Sequence, residues 1–305
     1  MKPKVVVIVG PTASGKTALS IELAKRINGE IISSDSMQIY KDMDIGTAKV
    51  TKEEAQGINH YLIDIISPEE RYTVSDFKKD AEAAIKEILE KGKVPIVVGG
   101  TGLYVDSLIY GIEYQEMNFD ESYRDELMKI AETEEGLIKL WDEANSIDPQ
   151  AMLKISKNDK KRIIRVLEIY KATGKTKTEQ EILSRQKGVE YDYKVFCVNM
   201  DREKLYERIN KRVDIMIDAG LENEVRNLLE KYSKFPTAMQ GLGYKEVVEY
   251  FDGKITRDEM IEKIKQESRR YAKRQLTWFR KNKETIWIDS MQDMKNKIDI
   301  ILEEL

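Results

Sequence analysis

Short runs of β-branched residues alternate with segments whose apolar positions recur every three or four residues, the pattern of a parallel sheet flanked by helices. Lys4-Val-Val-Val-Ile-Val9 is a run of strand length closed by Gly10, and Leu19, Leu23 and Ile27 then mark a helix. A short strand over Glu30–Ser33, an amphipathic helix from about Val74 to Lys91 and a buried-type strand over Val94–Val98 follow. From about Tyr114 to Glu190 the spacing is helical throughout (Leu127, Ile130; Leu137, Leu140, Trp141; Ile163, Ile164, Leu167, Ile169), with almost no strand signal. A strand pattern returns over Tyr193–Asn199, three or four helices run through Lys283, and a last short strand spans Thr285–Ile288. The prediction is an α/β fold in which residues 1–114 and 191–305 form the core and 115–190 form a helical insertion domain.

Composition narrows the chemistry. The chain has 305 residues, 41% apolar and 35% charged, as expected of a water-soluble globular protein. No apolar stretch approaches the ~20 residues that span a bilayer, and the run Val5–Val9 ends in a glycine loop rather than a signal-peptide cleavage site, so a cytoplasmic protein without a membrane partner is expected. One cysteine, Cys197, and one histidine, His60, provide neither a disulfide framework nor a Cys/His zinc site. Any metal must therefore take oxygen ligands. The net charge of −4 does not by itself suggest nucleic acid, so only local basic clusters point that way.

Gly10, Pro11, Thr12, Ala13, Ser14, Gly15, Lys16 and Thr17 satisfy G-x-x-x-x-G-K-[ST] directly after a strand and at the opening of a helix. The glycines let the backbone curl so that its N–H groups point inward, and the helix N-terminus adds partial positive charge. Lys16 supplies a full charge to the terminal phosphate, and the Thr17 hydroxyl is the candidate ligand for Mg²⁺. This P-loop gives the fold its expected class, P-loop NTPase-like, but the usual occupant is ATP or GTP, which keeps a nucleotide or metabolite kinase open.

Two further strand ends fall at the same edge. Ser33-Ser-Asp35-Ser-Met-Gln38-Ile-Tyr40 follows the second strand, which brings Asp35 near the phosphates as a candidate base or a simple turn former. Gly99-Gly-Thr101-Gly-Leu-Tyr104 follows the Val94–Val98 strand, with Thr101 either facing a ligand or capping the next helix. Near the C-terminus, Arg269–Lys283 carries seven basic residues and no acid. On a helix Arg270, Arg274 and Lys281 share one face, either an RNA-tracking stripe or an ordinary solvated surface.

GPTASGKT at 10–17, SSDSMQIY at 33–40 and GGTGLY at 99–104 together resemble the tRNA dimethylallyltransferases, also called tRNA isopentenyltransferases. The resemblance extends through Asn158-Asp-Lys-Lys-Arg162-Ile-Ile-Arg165, Lys211-Arg212-Val-Asp214, Gln240-Gly-Leu-Gly-Tyr-Lys-Glu246 and Arg269-Arg-Tyr-Ala-Lys-Arg-Gln-Leu-Thr-Trp-Phe-Arg280, in the family's order over about 270 residues. It implies transfer of the dimethylallyl group of dimethylallyl diphosphate to N6 of adenine 37, beside the anticodon of tRNAs that read codons beginning with U. Asp35 is then the catalytic base, Arg212 the arginine that meets the leaving diphosphate, and Thr101 a residue that orients the target nucleotide. Without the resemblance, Arg212 reads as a solvated helix residue.

The resemblance also implies tRNA contacts at Asp35, Ser36, Met37, Gln38 and Thr101, at Arg124, Asp159, Lys160, Lys161, Arg162 and Ile163 in the insertion, and at Gln240. Arg270, Lys273, Arg274 and Lys281 are expected to join them. The expected partner is the tRNA anticodon stem-loop, gripped by the insertion while the core performs the chemistry, and the expected state is a monomer. Eukaryotic members carry a C-terminal zinc finger, which one cysteine and one histidine do not build, so the bacterial form is the better match. Prenylation of free adenine nucleotides and non-catalytic RNA binding are the remaining alternatives. The insertion and the basic segment argue against the former, since a mononucleotide needs no such grip.

Overall fold

The computed structural model describes residues 2–114, 120–186 and 188–305. The chain folds into two compact units, Met1–Ile109 with Val189–Leu305, and Tyr110–Gly188. The insertion start expected at residue 115 lies outside the described residues.

The first half of the larger unit runs β1 (Lys4–Val9), α1 (Lys16–Ile27), β2 (Gly29–Ser33), α2 (Lys52–Ala55), β3 (His60–Tyr61), α3 (Val74–Glu90), β4 (Val94–Gly99) and α4 (Gly102–Ile109). The sheet is parallel throughout, in the order β3-β2-β4-β1-β5-β6 once the strands beyond the insertion are included. Val5, Val7 and Val9 of β1 pack with Phe77, Ile85 and Leu108, whereas Val6 and Ile8 pack with Leu19, Leu23 and Phe196. Helices cover both faces, which is why β1 reads as an unbroken apolar run rather than an alternating one.

The smaller unit holds α5 (Glu121–Ile130), α6 (Glu134–Ile147), α7 (Pro149–Met152), α8 (Lys160–Thr173) and α9 (Lys177–Leu183). Its core joins Leu127, Leu140, Ile163, Ile164 and Leu167. The buried Asp148 carboxylate accepts the Ala151 N–H at 3.0 Å at the start of α7 and the Thr178 N–H at 2.8 Å from α9, tying the two together.

Beyond it follow β5 (Asp192–Asn199), α10 (Arg202–Asp218), α11 (Leu221–Lys231), a 3₁₀ turn (Ala238–Gln240), α12 (Tyr244–Phe251), α13 (Arg257–Phe279), β6 (Ile286–Asp289) and α14 (Met294–Leu302). No helix among the described residues is long and apolar enough to cross a membrane. Register aligns Val9 with Gly99 and with Cys197, and Ser33 with Val98, so β1, β2, β4 and β5 end along one edge. Chain order reverses around β1 there, and parallel sheets bind ligands at that crevice.

Candidate functional site

The cradle is built by backbone conformation. Gly10 has φ 153° and Gly15 φ 92°, and a Cβ at Gly10 would lie 2.8 Å from the Val198 carbonyl oxygen of β5. The N-terminus of α1 has no side-chain cap and no acid in its first turn, so its leading amides face the loop without an intrahelical acceptor. Lys16 Nζ donates to the Pro11 carbonyl at 3.2 Å. The buried Ser14 hydroxyl has no protein partner, while Thr17 is exposed at the first turn.

Asp35 and Thr101 come from neighbouring strand ends and meet through Ser36. The Asp35 carboxylate accepts the Met37 N–H at 2.9 Å, holding a tight turn after β2. Thr101 Oγ1 accepts the Ser36 N–H at 3.1 Å, so its side chain is bonded to the Asp35 loop. The approach is close because Gly99 has no side chain, since a Cβ there would lie 2.4 Å from Ser34 Oγ.

Gln275 and Tyr271, both on α13, complete this centre and were not singled out in the sequence. The buried Gln275 side chain accepts the Thr12 N–H at 3.0 Å and donates to the Gly100 carbonyl at 2.9 Å, bracing the phosphate loop against the Thr101 loop. Tyr271 lies beside Thr101 and Gln275, and burial, reinforced by the Asp35 charge, pushes its hydroxyl up to about 12. A signal was present: Ala272, Gln275 and Phe279 form one buried stripe, so a polar residue falls on the apolar face of the helix.

Arg212, on α10, is half-buried and lies within electrostatic reach of both Lys16 and Asp35. Burial lowers its pKa while the Asp35 carboxylate opposes the shift. It is therefore not the solvated helix residue that its sequence context alone suggested. Burial, then the charge of Arg212, pulls the Lys16 ammonium down to about 8, with Asp35 acting in the opposite direction. Lys16 is thus a full cation below that pH and loses its charge as pH rises through it. Relative to Lys16→Met, the affinity for inorganic diphosphate is expected to fall across about pH 8, with proton uptake on binding. Titration calorimetry in buffers of different ionisation enthalpy measures both.

The expected RNA contacts divide by what the structure does with them. Gln38 accepts from Ser33 Oγ at 3.0 Å and donates to the Thr47 carbonyl at 3.2 Å, so its amide orientation is fixed. Gln240 is exposed, and its neighbour Gly241 packs on Met37, with a built Cβ 2.8 Å from Met37 Cε. Lys273 and Arg274 are exposed on α13, but Arg270 is paired with Glu267. Lys281 is not on the helix face expected for it, because α13 ends at Phe279; it follows the turn, its ammonium 4.6 Å from the Trp278 ring centroid.

Within the insertion, Lys161 and Arg162 are exposed, Lys160 is half-buried, and Asp159 caps α8 by accepting the Arg162 N–H at 3.1 Å. Ile163 is 0% exposed in the insertion core, so its side chain anchors α8 rather than facing outward with Lys161 and Arg162. Arg124 forks onto the buried Glu168 carboxylate at 2.6 and 2.8 Å, which gives it a structural partner that the sequence did not suggest.

A phosphate loop after β1, a carboxylate just past the end of β2 and a half-buried arginine within electrostatic reach of Lys16 and Asp35 define a P-loop enzyme that handles a phosphorylated substrate. The family model for IPP transferase matches residues 38–282, and the chain belongs to that family. A tRNA dimethylallyltransferase of Carboxydothermus hydrogenoformans is 51% identical over 298 residues, spanning 98% of this chain and 96% of that protein. The solved full-length tRNA isopentenylpyrophosphate transferase of Bacillus halodurans is 44% identical with a TM-score of 0.74, over 99% of this chain and 95% of its own. A eukaryotic dimethylallyltransferase solved acting on tRNA is 33% identical with a TM-score of 0.78, over 94% of this chain and 74% of its own.

Proposed function

We propose that this chain transfers the dimethylallyl group of dimethylallyl diphosphate to N6 of adenine 37 in tRNAs reading codons that begin with U, giving N6-dimethylallyladenosine and diphosphate. The observation that carries the reading is that Lys16 at the start of α1 and Arg212 of α10 lie within electrostatic reach of each other and of Asp35 past the end of β2, with Thr101 bonded to the Asp35 loop. The adenine amino nitrogen is a poor nucleophile because its lone pair is delocalised into the ring. As N6 bonds to the allylic carbon, Asp35 takes the N6 proton, and the bond from that carbon to the diphosphate oxygen breaks. Lys16, Arg212 and the amides opening α1 receive the negative charge that develops on the leaving group.

Mg²⁺ fits the donors present. Among the described residues no three His, Cys, Asp or Glu side chains converge on a metal position, so the ion would take the exposed Thr17 hydroxyl and complete its shell with diphosphate oxygens and water, the arrangement Mg²⁺ favours beside phosphates. It would neutralise diphosphate charge. Asp35–Gln38, Gln240 and the exposed cations of α8 and α13 are the surfaces that would hold the anticodon stem-loop, with the target adenine turned out of its stack to reach Asp35. Such an enzyme works in the cytoplasm as a monomer.

A kinase sharing the cradle would transfer phosphate from ATP instead. Incubation with unmodified tRNA and either ATP or dimethylallyl diphosphate separates the two. Diphosphate release that requires both tRNA and dimethylallyl diphosphate is expected, and phosphoryl transfer without prenylation refutes the reading.

A further inference from the structure

The phosphate loop has two flanks. On one, β2 and β4 deliver Asp35 and Thr101; on the other, β5 lies beside β1 and ends at Asn199. Past that end, where α10 packs on α13, is a cavity of about 290 Å³. Leu205 and Leu276 contribute its apolar lining, and Tyr206, Arg202, Lys273 and Arg280 its polar and aromatic lining. Leu205, Tyr206 and Leu276 belong to one apolar cluster with Ala13 of the phosphate loop, so the cavity floor is continuous with the cradle. The Arg202 guanidinium stands 5.3 Å from the Tyr206 ring centroid, and among the described residues no carboxylate lines the space.

This combination is selective. An apolar floor beside an aromatic ring receives a flat base, and three cations with no acid among them receive phosphate. We propose that the cavity holds one unstacked nucleotide of the RNA acceptor, other than the reacting adenine, with its base against Tyr206 and Leu276 and its phosphate among Arg202, Lys273 and Arg280. The inference rests on the RNA-acceptor reading above. RNA is favoured over a free nucleotide because the cations of the cavity, Lys273 and Arg280, belong to a run that also carries Arg274 and Lys281 outside it, more positive charge than one free nucleotide engages. The occupied cavity would fix where the strand lies relative to the cradle.

Tyr206→Leu keeps the apolar volume and removes the ring. Its Kd for the anticodon stem-loop is expected to rise roughly tenfold, with Tyr206→Phe restoring wild-type binding and inorganic diphosphate binding unchanged in both. With 2-aminopurine placed in turn at each unpaired loop position, one position other than the target adenine should show a fluorescence change on binding that Tyr206→Leu abolishes. Wild-type RNA affinity in Tyr206→Leu would overturn the proposal. So would AMP binding that depends on Tyr206 while RNA binding does not, which would assign the cavity to a free nucleotide. A wild-type chain that binds no RNA at all would instead be a failure of the RNA-acceptor reading, and the inference would fall with it.

Discussion

Asp35→Asn is expected to lower kcat roughly a hundredfold to ten-thousandfold, the contribution of a positioned general base, while the Kd for tRNA stays within a few-fold of wild type. Asparagine keeps an oxygen that accepts the Met37 N–H, now 2.9 Å from the carboxylate, so the turn that carries the residue survives and only the capacity to take a proton is lost. Single-turnover prenylation assays, with filter binding of the same tRNA, give the two quantities separately. A loss of affinity as large as the loss of rate would make Asp35 a reader of the base rather than the acceptor of its proton.

Arg212→Ala is expected to cost about a hundredfold to a thousandfold in kcat, the usual effect of removing one group that stabilises developing negative charge. Lysine should not restore the rate, because an ammonium lacks the planar fork that meets two phosphate oxygens at once. The substitution also has a signature away from turnover. The charge of Arg212 is one of the causes holding Lys16 near 8, so the pH dependence of diphosphate binding should move upward in Arg212→Ala. A lowered rate with an unmoved pH profile would mean that Arg212 acts at a distance from the cradle.

The parts of the molecule that the sequence disclosed are those where one physical demand dominates. β1 and β4, buried on both faces, show it as apolar runs, and the cradle shows it as glycines at fixed spacing. β3 was invisible because two residues carry no period, and its pairing to Ile31 and Ile32 depends on a neighbour laid down far earlier in the chain. α14 was also missed. Its buried Ile301 sits among lysines and acids that dilute the amphipathic signal, and it packs in the cluster that α1 shares, almost the full length of the chain away.

The centre divides in the same way. The motifs mark Asp35, Thr101 and Arg212 as candidates, but Gln275 and Tyr271 reach across from α13, and only the fold reveals which loops Gln275 joins. Ile163 shows the converse. It sits among residues with basic side chains that point outward, yet the helical period turns it into the insertion core. Spacing identifies the neighbourhood of a contact; the direction of a side chain decides whether contact occurs.

The most direct test is to incubate unmodified tRNA with the purified chain, dimethylallyl diphosphate and Mg²⁺, digest it to nucleosides and separate them by liquid chromatography with mass spectrometry. N6-dimethylallyladenosine mapping to position 37, formed in step with diphosphate release and absent with Asp35→Asn, is the expected result. Unmodified adenosine at that position in a preparation that binds both substrates would contradict it.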